Sequence, residues 1–207
     1  MGIERHPDVV TLITCAAGSQ PEALCAVVAA HICICPECLA ELRKMELVGE
    51  ALFSSLPPAV LDKHSPLQTV VEPAEVAVER LRAVDAGSEV PRTLRHVLGT
   101  ELDAVPWVTV APGIQQHVIP LSAGARGDLR VLKLAAGATI SQHGHQGEEL
   151  TLVLRGACQD AFGVYFAGDL MDLDDEAHHE VRADSKRGCI LIVASEHQPK
   201  FAGTWHE

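Results

Sequence analysis

Apolar positions recur at helical spacing through the first third of the chain and at strand spacing through the rest. Pro7-Asp8 opens a first predicted helix, in which Val9, Leu12, Ile13 and Ala16 fall three and four residues apart. Gly18 stands where such a helix is capped. Pro21-Glu22 opens a second, carrying Leu24, Val27, Val28 and His31. Pro36 suits the first position of a third, where its missing N–H would have no intrahelical partner. That helix carries Leu39, Leu42, Met45, Leu47 and Val48, keeps Glu41, Arg43, Lys44 and Glu46 largely on its other side, and stops at Pro57-Pro58. A fourth is expected from about residue 66 to 84, with Pro73 marking a kink or a later start.

Gly87, Ser88 and Pro91 then break the helical period, and residues 85–93 read as a linker. Beyond it lie short β-branched or aliphatic runs: Trp107 to Ala111, Gln116 to Pro120, Leu129 to Leu134, Leu150 to Leu154 and Ile190 to Ala194. Glycines at 113, 124, 137, 156, 163, 168 and 188 punctuate them at nearly regular intervals. Many short strands with such turn signals predict an all-β barrel or jelly roll. The expected fold class is therefore α plus all-β in two domains, a small helical bundle over 1–84 and a β-barrel over 94–207, with no βαβ alternation.

Composition narrows the partners. At 207 residues the chain accommodates one large or two small domains, and 47% apolar residues suffice for packed cores. Aromatics are only 3%, so stacking on exposed bases is poorly provided for. A formal net charge of −12 argues against a phosphate backbone and suits a basic protein partner. No apolar run resembles a signal peptide or reaches the ~18–20 residues of a membrane span. Seven cysteines, several clustered, suggest a reduced cytoplasmic protein in which thiols bind metal rather than form disulfides.

The cluster is His31-Ile-Cys33-Ile-Cys35-Pro36-Glu-Cys38. With helices on either side, His31, Cys35 and Cys38 converge at a helix–helix corner, a common way to build a tetrahedral zinc site. A fourth ligand must come from elsewhere, and His6 is the nearest candidate in the N-terminal segment. Three short helices bury little apolar surface, and a structural metal is a usual remedy. Cys33 is near enough to be a substitute ligand or redox partner, or else a small buried residue. Cys15, Cys25, Cys158 and Cys189 lie among aliphatic residues and are expected in the core.

A second constellation lies in the β region, from Gly137 through His143-Gly-His145-Gln-Gly-Glu148-Glu149 to Gly156. In a strand, His143 and His145 project from one face, and Glu149 has matching parity. Such a wall can hold zinc, iron, manganese or nickel, with His178 or His179 completing the set.

The Gly137–Gly156 run resembles the first motif of the cupin barrel: Gly, five residues, His-x-His, three residues, Glu, six residues, Gly. The second cupin motif is partly matched by Gly168-Asp169 and a His best aligned as His179; the usual Pro-x-Gly before it and Asn after it are missing. His31-x3-Cys35-x2-Cys38 with upstream His6 resembles the zinc-binding anti-sigma domain. A helical zinc domain followed by a cupin is the arrangement of the ChrR family of anti-sigma factors. The resemblance implies that the first domain binds and occludes an extracytoplasmic-function (group 4) sigma factor. It implies that the cupin helps release that factor under an oxidative stress such as singlet oxygen or organic hydroperoxide. Zinc would occupy the first site and a divalent metal, zinc foremost, the second. Cupins often pair, so a homodimer through that domain is allowed; neither nucleic acid nor membrane is an expected partner. The rival expectation is a metal-dependent, dioxygenase-like cupin enzyme with an open coordination position, although no further motif for a catalytic base or substrate anion stands in the strands.

Overall fold

The computed structural model describes residues 2–58, 89–144 and 147–197. The expected helix over 66–84, linker residues 85–88, and His145 lie outside the described residues.

Helices α1 (Val9–Ala16), α2 (Glu22–Ile32) and α3 (Pro36–Ser54) form where the periodicity placed them. Asp8 caps α1 by accepting the Thr11 amide at 2.6 Å. Pro36 occupies the first turn of α3, and Cys35 is its N-cap. The spacing assigned Val9 and Ile13 to the buried face of α1, but both are exposed; of that set only Leu12 is buried. The reason is that α1 touches the rest of the molecule along a narrow line, too narrow for a four-residue face.

After a 3-10 turn (Arg92–Leu94), short helix α4 (Arg95–Leu98) and a second 3-10 turn (Leu102–Ala104) come, among the described residues, nine strands. These are β1 (Val108–Ala111), β2 (Ile114–Val118), β3 (Asp128–Leu134), β4 (Thr139–Gly144), β5 (Glu149–Gln159), β6 (Val164–Phe166), β7 (Leu170–Leu173), β8 (His178–Ala183) and β9 (Cys189–Ser195). Every pairing is antiparallel, in the order β1-β2-β3-β9-β5-β8-β4, with β6 and β7 also on β5. The 11-residue β5 is the pivot. Its first half pairs with β9 and β7 and its second half with β8 and β6, so the sheet curls on itself. The bend falls at a register shift between Val153 and Arg155, next to Gly156 at φ +79°. A Cβ on Gly156 would lie 2.2 Å from the Gly188 carbonyl oxygen, so the two strands meet this closely only because it has none.

Two cores result. One lies inside the curled sheet, around Leu132, Val153, Met171, Val181 and Leu191. The other lies between the sheet and α2, where Leu24, Val27 and Val28 pack with Leu150, Leu152, Ile190 and Ile192. The helical bundle thus completes its interior on the sheet. Burying each of these aliphatic side chains contributes roughly 1.5–3 kcal/mol.

Two candidate metal centres

The first centre sits where α2 ends and α3 begins, two axes that meet at 117°. His31 lies in the last turn of α2, and the Cys35 amide donates back to its carbonyl at 2.9 Å. Cys35 Sγ then accepts from the Cys38 amide at 3.5 Å, so the sulfur faces the positive end of α3. Ahead of α1, residues 3–6 run as an extended arm that brings in His6. His6 Nδ1 lies 3.4 Å from both Cys35 Sγ and Cys38 Sγ, and ligand atoms of all four residues fall within 4.8 Å of one another.

These distances suit an ion. Zinc bonds of ~2.3 Å to sulfur and ~2.0–2.1 Å to nitrogen give a tetrahedral N–S edge of about 3.5 Å. His31 adds a second observation. Its Nδ1 faces the Gly168 carbonyl oxygen at 3.0 Å, which can only accept, so Nδ1 carries the proton and Nε2 keeps its lone pair. That Nε2 is fully buried and without a hydrogen-bond partner, a costly state unless something else takes the lone pair. Burial, with His6 beside it, pushes His31 down to about 4, so the ring is neutral at pH 7. Burial and then the neighbouring Cys35 push the Cys38 thiol up to about 12. His6 Nε2 lies 3.5 Å from Glu37 Oε2, the carboxylate–histidine pairing found around bound metals. The half-buried His6 borders a cleft of about 580 Å³ lined by Arg5, Asp8, Tyr165 and Asp172, which gives ions a way in.

The second centre lies within the curled sheet. His143 on β4 and His179 on β8 stand opposite each other in register, their ring centroids 4.7 Å apart. Glu149, the first residue of β5, places Oε1 3.9 Å from His179 Nε2. All three are buried and close enough to share one ion. His143 Nδ1 faces the Ser141 carbonyl at 2.9 Å, and His179 Nδ1 faces Asp160 Oδ2 at 3.0 Å, which leaves both Nε2 atoms to converge. Of the two adjacent histidines, His179 joins the cluster, while His178 is exposed and turned toward Glu176. A cleft of about 390 Å³ opens beside His179, lined by Gln142, Gln159, Asp160 and Arg182.

Both donor sets are compatible with divalent metals. The sequence reading missed Asp160 and Gly168 as partners of His179 and His31, and Asp169 as the partner of the Glu4 and Arg5 amides just before His6. A Gly-Asp pair at a turn was the only local signal, and it says nothing of what lies across from it. Cys33 is buried and faces Thr93 rather than the first centre. Cys158 and Cys189 are buried as expected, whereas Cys15 and Cys25 are only half-buried, with Sγ atoms 3.2 Å apart.

Residues 95–199 match the family model described as the ChrR cupin-like domain. The anti-sigma-E factor ChrR of Cereibacter sphaeroides is 33% identical over 202 residues, covering 97% of this chain and 93% of that protein. This chain belongs to the ChrR family. The crystal structure of Rhodobacter sphaeroides SigE in complex with the anti-sigma ChrR aligns with this family member at a TM-score of 0.76 and 31% identity, over 93% of this chain and 99% of that one. The expected fold, a helical His/Cys unit followed by a curled cupin-like sheet, is therefore that of the family. Among the described residues no single helix is long and apolar enough to cross a membrane.

Proposed function

We propose that this protein is an anti-sigma factor that binds and inhibits an extracytoplasmic-function (group 4) sigma factor. In this reading His6, His31, Cys35 and Cys38 hold zinc, and the cupin, with metal ligands His143, His145, Glu149 and His179, relays an oxidative signal that releases the partner. The observation that carries it is a likeness running nearly end to end to a protein named as an anti-sigma factor and crystallised with its sigma factor.

The surface supports the reading. On α3, Leu47, Val48, Leu52 and Phe53 are exposed, as is Leu56 just beyond it; on α1 so are Val9, Val10 and Ile13. Apolar side chains collected on helices of an otherwise acidic molecule suit helix-on-helix capture of another protein. The division into a bundle (1–84), linker (85–93) and cupin (94–207) belongs to the same proposal.

Zinc bound at the corner would cross-link the N-terminal arm to the α2–α3 junction. The rest falls to the chain. His31, fixed by the Gly168 carbonyl, and Cys35, fixed at the start of α3, set the angle between the two helices and hence the direction in which α3 presents its apolar residues. His143, Glu149 and His179 hold the second ion deep in the sheet, and no catalytic activity is assigned to it.

The test is transcription by the cognate sigma factor with purified protein added. Inhibition that is lost in Cys35→Ser and Cys38→Ser supports the reading; undiminished inhibition by the metal-free protein sinks it. Substituting His143 or Glu149 should leave basal inhibition intact and impair release by hydroperoxide, and loss of basal inhibition would instead make the cupin site structural.

A further inference from the structure

We propose that the turn between β6 and β7 completes the N-terminal metal centre: Gly168 and Asp169 position both of its histidines, so metal retention in the bundle depends on the barrel. The inference rests on the reading that His6, His31, Cys35 and Cys38 hold the ion.

Each histidine has its own tie to this turn. The Gly168 carbonyl accepts from His31 Nδ1 at 3.0 Å and so aims the bare Nε2 at the cluster. Asp169 acts on the arm that carries His6. Its Oδ1 accepts the Glu4 amide at 2.8 Å and the Arg5 amide at 3.1 Å, and its Oδ2 accepts the Phe166 amide at 2.8 Å. The Leu170 amide donates to the Arg5 carbonyl at 3.1 Å, so the arm is held by three hydrogen bonds immediately before its ligand. The arm also lies against Gly168, where a Cβ would come within 2.7 Å of Ile3 Cγ1.

The turn is itself rigidly mounted. The Gly168 amide donates to the Val153 carbonyl at 2.8 Å, and the Val153 amide donates to the Asp169 carbonyl at 3.0 Å, fastening the turn to β5. Asp169 is only 2% exposed, and a buried carboxylate is tolerated because its oxygens are occupied by these amide donors. Asp169 Oδ2 serves the turn itself through the Phe166 amide, whereas Oδ1 is taken up by the amides of residues 4 and 5 in the arm. The arrangement makes sense as an outer shell, whose loss typically costs about 10–100-fold in metal affinity.

The test is cobalt(II) titration of the metal-free full-length protein, followed by competition with zinc. Thiolate-to-cobalt charge transfer reports the first centre alone, since the second has no cysteine among its clustered residues. Asp169→Ala should weaken binding at this centre about tenfold or more. Asp169→Asn, whose amide oxygen still accepts from the arm, should lose less. Glu4→Pro removes one donor from the arm, leaves the barrel untouched, and should shift affinity the same way. Near-UV circular dichroism checks that the barrel is folded; if Asp169→Ala unfolds it, Glu4→Pro decides. Wild-type affinity in Glu4→Pro, or in a folded Asp169→Ala, overturns the inference. Absence of charge transfer in the wild-type protein would instead overturn the underlying assignment of the four ligands.

Discussion

At Cys35 one sulfur both caps α3, through the Cys38 amide, and lies 3.4 Å from His6 Nδ1. Serine can replace the first contact but is a poor substitute for the second, because thiolate, not hydroxyl, matches a borderline-soft ion. Cys35→Ser is therefore expected to keep α3 and lose one equivalent of metal per chain, a separation that far-ultraviolet circular dichroism and elemental analysis resolve. Asp160 plays the supporting part at the second centre. Asp160→Asn removes the charge that orients His179 while preserving shape, and should weaken metal binding there by about 10–100-fold. Isothermal titration on a variant already lacking the first centre measures it. Such partners were invisible in the sequence for a simple reason. Gly168 is 137 residues from His31 and Asp169 is 165 from Glu4, and no local pattern registers contacts at that separation.

Among elements, α3 divides its residues between two duties. Its first turn buries Cys38 and Leu39, whereas Leu47, Val48, Leu52 and Phe53 face solvent. Leu52→Asp and Phe53→Asp should reduce capture of the sigma factor at least tenfold, a drop of roughly 1.4 kcal/mol or more. Thermal stability should barely move, because exposed substitutions stay within about 0.5 kcal/mol. Pull-down and melting curves on the same samples test both halves. Helices α1, α2 and α3 were legible because their signals are local: Asp8 as a cap, Pro36 in a first turn, Glu22 after Pro21. Strands β3, β5 and β9 were legible as aliphatic runs. β6, β7 and β8 were not: they are short or polar, as in His178-His-Glu-Val-Arg-Ala183, and form because β5 is there to pair with, while β4 in turn pairs with β8. The His143 and Glu149 pattern was readable from spacing, whereas the choice of His179 over His178 needed the register of β8 against β4.

Over the whole molecule, α2 is the shared wall. Leu24, Val27 and Val28 are buried between the bundle and the curled sheet, so neither unit loses them without the other. Leu24→Ala should destabilise the protein by about 2–5 kcal/mol, and the helical far-ultraviolet signal and the tryptophan fluorescence should melt together. Two separated transitions would mean that the bundle keeps an interior of its own. Stripping metal with a chelator should lower that common midpoint, because an ion that binds only the folded state stabilises it by mass action.

The arm that supplies His6 is made first, and the turn that braces it is made about 160 residues later. At ribosomal speeds of about 5–20 residues per second, that gap lasts roughly 10–30 s. From the moment Cys38 is made, for most of that gap, a nascent bundle can already own all four ligands while the Gly168 carbonyl and the Asp169 carboxylate are still unmade. On the proposed reading, a half-synthesised chain gives up its ion more readily than a finished one, and translation itself sets when the grip becomes firm.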